Sequence, residues 1–594
     1  MHTKWTITLA ATLLAACLAT VPPETAAAAG QTAAAAETQG LKLPAYHKLT
    51  GNVQALLKSA FVERTAYNQT LGVVVWLQND SGKVTRVPDC ELRVAAADGV
   101  AYTLAPSAAN PRSIQPKGKV ELSYQLTVNR TDDLQLTNLA WVEVDEYVYP
   151  RKETKLLDLN TAGAVWQGAA PGSGGAVRIG WGQPFKLELF SPGIAYLPAS
   201  VEKQTTVQGD NVTIVTLRVT NTGKEQAFVP DFSIGGTDGS KLYPGERVNA
   251  GVGVGGSANA NANVNAARLG AGETKNVRYA IPAAAGVRFD ELIVTTPERF
   301  VTAGGELIVH QVGRVRLGLP EREFSLDRLQ SYEFGAPIAL DPLNELVDKD
   351  VRISLVELHM HDNQGDGYRT VIAKFKLQNA GKGPTALPVF GAELTDGNGY
   401  MFVGDRQQVS AQRLMPGLSH VVSYAFNVPK AEGTDRYALR LLEGGGTADS
   451  PYSAPLATVA VQVQTEEAGS HEWNLYPFDV KMNYWSVSAV ADAIPVISYS
   501  YKLKLDLDIV RTDDVVVDAG FSRLKIEIAD SFGKMLGSQE IPFVGVGRLI
   551  SGVQTIRFDN IRTEQHQYPL TINIYEVIDT PGGEATRLIE TLQQ

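Results

Sequence analysis

The residues best suited to chemistry lie in the run 357–362, Glu-Leu-His-Met-His-Asp. On a β-strand, His359 and His361 point to one face because successive side chains alternate. Two imidazoles and the carboxylate of Asp362 are ligands that Zn²⁺ and other divalent ions accept, so the run could hold a catalytic metal of a hydrolase. A catalytic metal also needs an open coordination position and a pocket, which the sequence does not show. The alternative is a strand with its apolar residues on a core and its histidines in solvent.

Two other motifs resemble ligand loops but lack what those loops require. Residues 362–367, Asp-Asn-Gln-Gly-Asp-Gly, begin like a calcium loop, but the twelfth position is Ala373, where an EF-hand needs a bidentate Glu. Residues 251–256 fit a Gly-rich dinucleotide pattern, but the Ala- and Asn-rich residues after them do not predict the helix that would face a pyrophosphate. We therefore predict no cofactor and no enzymatic activity.

Aromatic residues crowd the start of the last quarter of the chain, among them Trp473, Tyr484 and Trp485. Aromatic platforms bind sugar rings and partner proteins, which makes these three residues candidates for a ligand site. The alternative is that they form the apolar seam between two neighbouring modules.

The elements that carry these residues follow from a pattern that occurs three times. An alternating strand ends in Asn, a Pro follows nine residues later, and an Asp-Gly turn, a Gly and a Tyr-centred strand come after it. The members are Asn79, Asn221 and Asn379; Pro88, Pro230 and Pro388; Asp98-Gly99, Asp238-Gly239 and Asp396-Gly397; Gly118, Gly272 and Gly417; and Tyr124, Tyr279 and Tyr424.

The spacing within each copy predicts β-sandwiches. Every second residue before the Asn is apolar, as in Val73, Val75 and Leu77, which places one face of the strand on a core. The intervening positions, such as Arg218 and Lys376, are mostly polar and predict an outer face in water. Asp-Gly supplies the positive φ of tight hairpins. We predict an all-β chain, a tandem array of immunoglobulin-like β-sandwich domains after a cleaved signal peptide.

The repeat resembles the telokin-like, immunoglobulin-type extracellular domains of exported proteins from Gram-positive bacteria. The resemblance lies in the order of strand, Pro, Asp-Gly turn and a Leu-x-x-Gly before a closing apolar strand, as in residues 269–272 and 414–417. It covers three modules. It implies a non-catalytic fold in a secreted or surface setting, and it supplies no catalytic residues.

The composition of successive segments predicts the domain limits. We expect a signal peptide over 1–29, a flexible spacer over 30–42, β-sandwiches over 43–159, 184–320, 332–464 and 473–594, a Gly-rich linker over 160–183, and a low-complexity loop over 249–267. The last sandwich lacks the spacing from Asn to Pro and is the divergent member. The stretch 52–61 has helical spacing but would also suit a first strand.

The N-terminus predicts export. A short basic start, an apolar stretch and an Ala-rich run before residue 30 are typical of a secretory signal. The alternative is a lipobox, residues 14–17, in which Cys17 would be lipidated and anchor the protein. After ordinary cleavage only Cys90 remains, so no intramolecular disulfide is expected.

The net charge of the chain limits the classes of partner that it is expected to bind. The net charge is −11 and the basic residues are scattered, which argues against nucleic-acid binding. We also predict no transmembrane segment in the mature chain. The sequence therefore predicts an exported scaffold or adhesion protein at the cell surface that binds an envelope or extracellular protein. A polysaccharide is the alternative partner, bound by the aromatics of the fourth module.

Overall fold

The structure is a computed structural model that describes residues 45–594, apart from 171–173, 207–208, 249–267, 321–324, 363–366, 431–433, 445–451, 466–469, 493–497, 512–514, 518–520, 564–565 and 581–582. The predicted signal peptide, spacer, Cys17 and low-complexity loop lie outside the described residues. The described ranges contain 41 β-strands and the short 3₁₀ turn Leu326–Arg328, which confirms the all-β prediction. These ranges contain no helix that is long and apolar enough to cross a membrane.

The strands group into four modules, each around its own apolar core. The first module contains β1 (His47–Lys48), β2 (Val53–Arg64), β3 (Gln69–Asn79), β4 (Thr85–Arg86), β5 (Glu91–Ala96), β6 (Ala101–Pro106), β7 (Ser113–Ile114), β8 (Lys119–Val128), β9 (Leu136–Asp145), β10 (Lys152–Asn160) and β11 (Val165–Trp166). The second contains β12 (Val177–Ile179), β13 (Phe185–Lys186), β14 (Ile194–Thr205), β15 (Asn211–Asn221), β16 (Ala227–Phe228), β17 (Ser233–Thr237), β18 (Leu242–Tyr243), β19 (Glu246–Val248), β20 (Arg268–Leu269), β21 (Thr274–Pro282), β22 (Glu291–Val301) and β23 (Leu307–Gly318).

The third module contains β24 (Val351–Asp362), β25 (Tyr368–Asn379), β26 (Thr385–Ala386), β27 (Gly391–Thr395), β28 (Met401–Arg406), β29 (Arg413–Leu414), β30 (Ser419–Pro429), β31 (Arg436–Gly444) and β32 (Ser453–Gln462). The fourth contains β33 (Glu472–Leu475), β34 (Phe478–Asp492), β35 (Ser498–Arg511), β36 (Val515–Val516), β37 (Arg523–Ala529), β38 (Met535–Pro542), β39 (Gly552–Thr563), β40 (Thr571–Thr580) and β41 (Gly583–Gln593).

All four modules share one two-layered topology. One layer, here called the front layer, contains β2-β3-β8, β14-β15-β21, β24-β25-β30 and β34-β35-β39. The other, the back layer, contains β5-β9-β10, β17-β22-β23, β27-β31-β32 and β37-β40-β41. A β-bulge interrupts the first strand pair of every front layer at the corresponding place: Leu57/Ser59, Pro198/Ser200, Leu355/Glu357 and Met482/Tyr484. The divergent fourth module therefore has the strand order of the others.

The strand pairing decides an open alternative and adds strands to the predicted linker. The stretch 52–61, which suited either a helix or a first strand, lies mostly in the strand β2. The segment 160–183, predicted as a linker, contributes β11 to the first module and β12 to the second, each in parallel pairing with a long strand. Gly175 explains part of the glycine content there, because a Cβ at this position would come within 2.4 Å of the backbone nitrogen of Trp166.

The repeated Asn is a buried clamp between two loops. The side-chain amide of Asn221 donates to the carbonyl oxygens of Glu225, Leu269 and Gly270 at 2.7, 3.2 and 3.0 Å, while its Oδ1 accepts from the Gly223 N–H. Asn79 and Asn379 make the corresponding bonds in their own modules. An amide both donates and accepts, so few other side chains could satisfy these buried groups.

Two turns differ from the predicted pattern. In the third copy the positive φ falls on Gly399, two residues after the predicted Gly397. The second turn is the one before the Tyr-centred strand. There Gly272 and Gly417 have a positive φ in the second and third copies, whereas in the first copy Lys117 has it, at 56°, and Gly118 does not. The turn geometry is kept although the residue at that position changes, and Lys117 bears the strain of a left-handed conformation.

Removing the clamp should destabilise its module. We expect Asn221→Ala to lower the free energy of unfolding of the second module by about 2–4 kcal/mol, because three carbonyl oxygens lose a buried donor. Chemical denaturation measures the change, and Lys224→Ala, at an exposed position of the same turn, is the control with no expected effect. Equal midpoints for the two variants would show that the clamp does not stabilise the fold.

Candidate functional site

The predicted metal-binding residues lie on β24, where the front layer of the third module meets the fourth module. The bulge after Leu355 turns Glu357, His359 and His361 to the outer face of the sheet, while Leu358 faces the core. All three polar side chains are buried, with 2, 6 and 1% of their surface exposed. The histidines therefore do not face solvent.

These residues belong to a cluster of charges, the third–fourth ion cluster, made by Glu357, His361, Lys374, Glu576 and Arg587. The Lys374 ammonium lies 2.7 Å from Glu357 Oε2 and 2.8 Å from Glu576 Oε1. Arg587 donates to Glu576 at 2.7 Å, and His361 Nε2 lies 3.6 Å from the same carboxylate. The backbone N–H of Tyr476 donates to Glu357. Two carboxylates thus face two cations inside the protein.

Burial and charge act against each other in this cluster. Burial pushes the pKa of Glu576 upward, but the charges of Lys374 and Arg587 outweigh it and hold the pKa well below its usual value. For Glu357 burial dominates, and its pKa is raised. The pKa of Lys374 is raised, because its two carboxylate partners outweigh the cost of burial. Burial lowers the pKa of His359 to about 3 and also lowers that of His361, so both rings are neutral near pH 7.

The geometry does not fit the predicted metal site. The ammonium of Lys374 occupies the position between the two carboxylates, and a lysine there repels a cation. The side chain of Asp362 lies outside the described residues. Among the residues that the structure describes, no group of three or more His, Cys, Asp or Glu is arranged to hold a metal ion.

The predicted aromatic platform is not assembled either. Trp473 is 2% exposed and belongs to the core of the fourth module, so the prediction that it offers a face to a ligand is wrong. Trp485 also packs against that core, and Tyr484 alone of the three is exposed. Tyr484 and Trp485 are consecutive residues of β34 and point to opposite faces, so the three aromatics do not form one surface.

Cys90 is not an activated nucleophile. It packs at the edge of the first core, and burial raises the pKa of its thiol to about 11. Because the thiolate is the reactive form, this residue is protonated and inert near neutral pH.

The junction between the first and second modules contains a second set of buried charges. Glu298 accepts from Lys58 at 2.9 Å and from Arg314 at 2.5 Å, and the hydroxyl of Ser59 donates to the same carboxylate. His310 contacts Glu63 at 2.6 Å through Nδ1. Lys58 is the extra residue of the β2 bulge, so the bulge directs its ammonium toward the second module.

The junction between the second and third modules follows the same plan. Arg278 donates to Glu443 at 3.0 Å and Arg440 to Glu202 at 2.7 Å. Gln204 exchanges hydrogen bonds with the backbone of Ser453, at 3.1 and 2.9 Å.

Each junction joins the front layer of one module to the back layer of the next. A small apolar cluster accompanies the charges in every case: Phe61, Trp166, Ile293 and Val312 at the first junction, Val212, Ile214 and Ala280 at the second, and Ile372, Ala425, Ile578 and Ala585 at the third. At the third junction the sheets also merge, since β24 pairs with β41 and β36 pairs with β30. The array is therefore regular, with equivalent faces in contact at each step.

Sequence reasoning found Glu357, His359 and His361 but missed Lys374, Glu576 and Arg587. The sequence did contain a signal that these strands are covered on their outer faces. A strand with one face in water should alternate strictly between apolar and polar residues, but residues 71–75, 292–294 and 371–373 are apolar on both faces. Such runs are typical of strands that are covered on both sides. They indicate that a strand is covered but not which residues cover it.

Comparisons with known proteins supply no family. No protein-family model and no curated protein matches the chain. Among solved structures it is similar to a Porphyromonas gingivalis W83 protein described as of unknown function, with 17% identity, 46% of this chain and 100% of that chain covered, and a TM-score of 0.14. A TM-score this low carries no argument, and the resemblance to telokin-like domains stays a prediction.

Removal of one member of the third–fourth ion cluster should destabilise the junction between the two modules. We expect Lys374→Met to destabilise the third–fourth junction by about 3–5 kcal/mol, because the buried Glu357 then loses its cation and Glu576 keeps only Arg587. Calorimetry of the full chain should show the loss in the transition of these modules. Lys382→Met, in an exposed turn of the third module, is the matched control. If both variants melt like the wild type, the cluster does not hold the junction.

Acid should weaken the same junction. The pKa of His359 in the folded chain, about 3, lies below its unfolded value near 6.5, so the unfolded state binds more protons between those pH values and stability falls as the pH drops. The expected loss is about 1.4 kcal/mol per pH unit for each such histidine. Protonation of Glu357, whose pKa is raised, opposes it.

Denaturation between pH 7 and 5 measures this slope. His359→Gln keeps a donor for the carbonyl oxygen of Gln464, which His359 contacts at 3.2 Å. The slope of the free energy of unfolding against pH should correspond to about one proton fewer in the variant than in the wild type. An unchanged slope would show that His359 is not buried as a neutral ring.

Proposed function

We propose that the protein is an exported, non-enzymatic scaffold of the cell envelope, in which four modules are held in a fixed array and bind their partners through exposed faces. The observation that carries the proposal is the repeated junction. At all three joints a buried or largely buried carboxylate pairs with a buried or largely buried cation of the neighbouring module: Glu298 with Lys58, Glu443 with Arg278, and Glu576 with Lys374.

Such joints favour one arrangement of the modules. A bent joint would have to separate these charges or leave one of them buried and unpaired, which costs several kcal/mol. Flexibly linked domains, by contrast, have small and polar contacts. A fixed array is suited to presenting several surfaces at set distances, which is what a scaffold or adhesion protein requires.

The other evidence agrees with this role. The apolar stretch near the N-terminus supports export. Of the candidate metal ligands, His361 belongs to the third–fourth ion cluster and His359 is buried as a neutral ring, and the thiol of Cys90 is protonated. The buried charged side chains of the described residues therefore support a role in joining the modules.

Retention on cell envelopes tests the proposal. We expect the mature protein to co-sediment with envelope preparations from its own source, and Arg278→Ala combined with Arg440→Ala to be retained about tenfold more weakly, because a loosened array loses simultaneous binding by several modules. Arg436→Ala, which removes an exposed pair with Asp327, is the matched control.

Circular dichroism should confirm that each variant is folded. Failure of the wild type to bind any envelope fraction would contradict the proposal. Equal retention of all variants would show that the fixed arrangement has no role in binding.

A further inference from the structure

Three of the four back layers are covered by the front layer of the preceding module, whereas among the residues that the structure describes no module covers the back layer of the first. Its outer face, on β5, β6, β9 and β10, carries a groove of about 340 Å³. Leu92, Val94 and Trp141 point into the core, so their neighbours along the strands point outward. The size of this groove lies in the range of ligand sites.

The apolar residues on the floor of the groove are mostly small. Ala95, Ala101 and Ala140 line it together with the larger Val142, and Ala95 lies opposite Ala101 across the strand pair. Alanine leaves space where larger residues on a sheet would fill it. The corresponding outer face of the second module is different, because it carries Ile293 and Val312, which enter the apolar cluster of the first junction.

The walls are polar and paired among themselves. Arg93 donates to both oxygens of Glu153, at 2.8 and 2.9 Å. Asp158 accepts from Lys155 at 2.6 Å and from Asn138 at 3.0 Å. These two cations and two carboxylates cancel in charge, so the groove favours neither a polyanion nor a polycation.

Two exposed tyrosines lie in the turn at one end of the strands that form the groove. Tyr147 and Tyr149 lie in the turn between β9 and β10, the two strands that run through the groove, and they are 102 and 99% exposed. Aromatic rings with a polar hydroxyl pack well on the C–H faces of sugar rings.

We propose that this groove binds a neutral, hydroxyl-rich polysaccharide. Paired carboxylates, a guanidinium and an amide offer donors and acceptors to hydroxyl groups, and the tyrosines offer stacking surfaces. A second copy of this chain is the poorer occupant, because the groove has no apolar cluster like those at the three junctions. The inference rests on the proposed function and names the partner class of its first module.

Affinity electrophoresis of the full mature chain tests the groove. The gels contain dextran, hydroxyethyl cellulose or galactomannan as neutral polymers, or alginate as the polyanion. We expect retardation by at least one neutral polymer and none by alginate. Ala140→Arg, which fills the groove, should weaken binding at least tenfold, and Tyr147→Ala with Tyr149→Ala should weaken it several-fold.

The controls lie on the turn between β2 and β3, in the other layer. Ala66→Arg and Tyr67→Ala, both at exposed positions, should bind like the wild type. Retardation by no neutral polymer, by alginate alone, or equally for Ala140→Arg would overturn the proposal. So would self-association that Ala140→Arg abolishes, which would assign the face to a second copy.

The variant with Arg278→Ala and Arg440→Ala separates this test from that of the scaffold. A single module suffices for the groove, so this variant should keep its retardation. If neutral polymers retard the protein but the variant binds envelopes as well as the wild type, the scaffold proposal alone is contradicted. If envelopes retain the protein as expected but no neutral polymer retards it, the groove proposal alone is contradicted.

Discussion

The ammonium of Lys374, held between Glu357 and Glu576, sets the relation between the third and fourth modules. Removing a charge from water costs several kcal/mol, and a close opposite charge recovers this only in good geometry. The three groups meet only in one register of the two modules, at 2.7 and 2.8 Å. The apolar cluster at this junction contributes affinity, while the charges select the register.

The other two junctions use the same solution with different residues. In the first module the bulge of the front layer directs its extra residue, Lys58, to the place where the second module docks. The ends of the array depart from this pattern. The outer face of the fourth front layer carries Tyr484, Lys502 and Lys504, and the outer face of the first back layer carries the alanine-floored groove. Polar outer faces on terminal units are typical of repeat arrays.

The sequence predicted the strands, the repeats and the face of each strand that packs on a core, because these features depend on local periodicity and turn residues. The repeated Asn could be recognised as a marker, and the structure supplies its reason, a clamp that satisfies two or three carbonyl oxygens. The ion clusters could not be predicted in the same way. Lys374 and Glu576 are 202 residues apart, and nothing in the local pattern of either strand indicates that the other will cover it.

Small-angle X-ray scattering from the mature chain tests most directly whether the junctions fix the array. Buried pairs are little screened by salt, so one conformation with the described module arrangement should fit the scattering at both low and high ionic strength. A profile that requires an ensemble of freely linked modules, or that expands with added salt, would contradict the account.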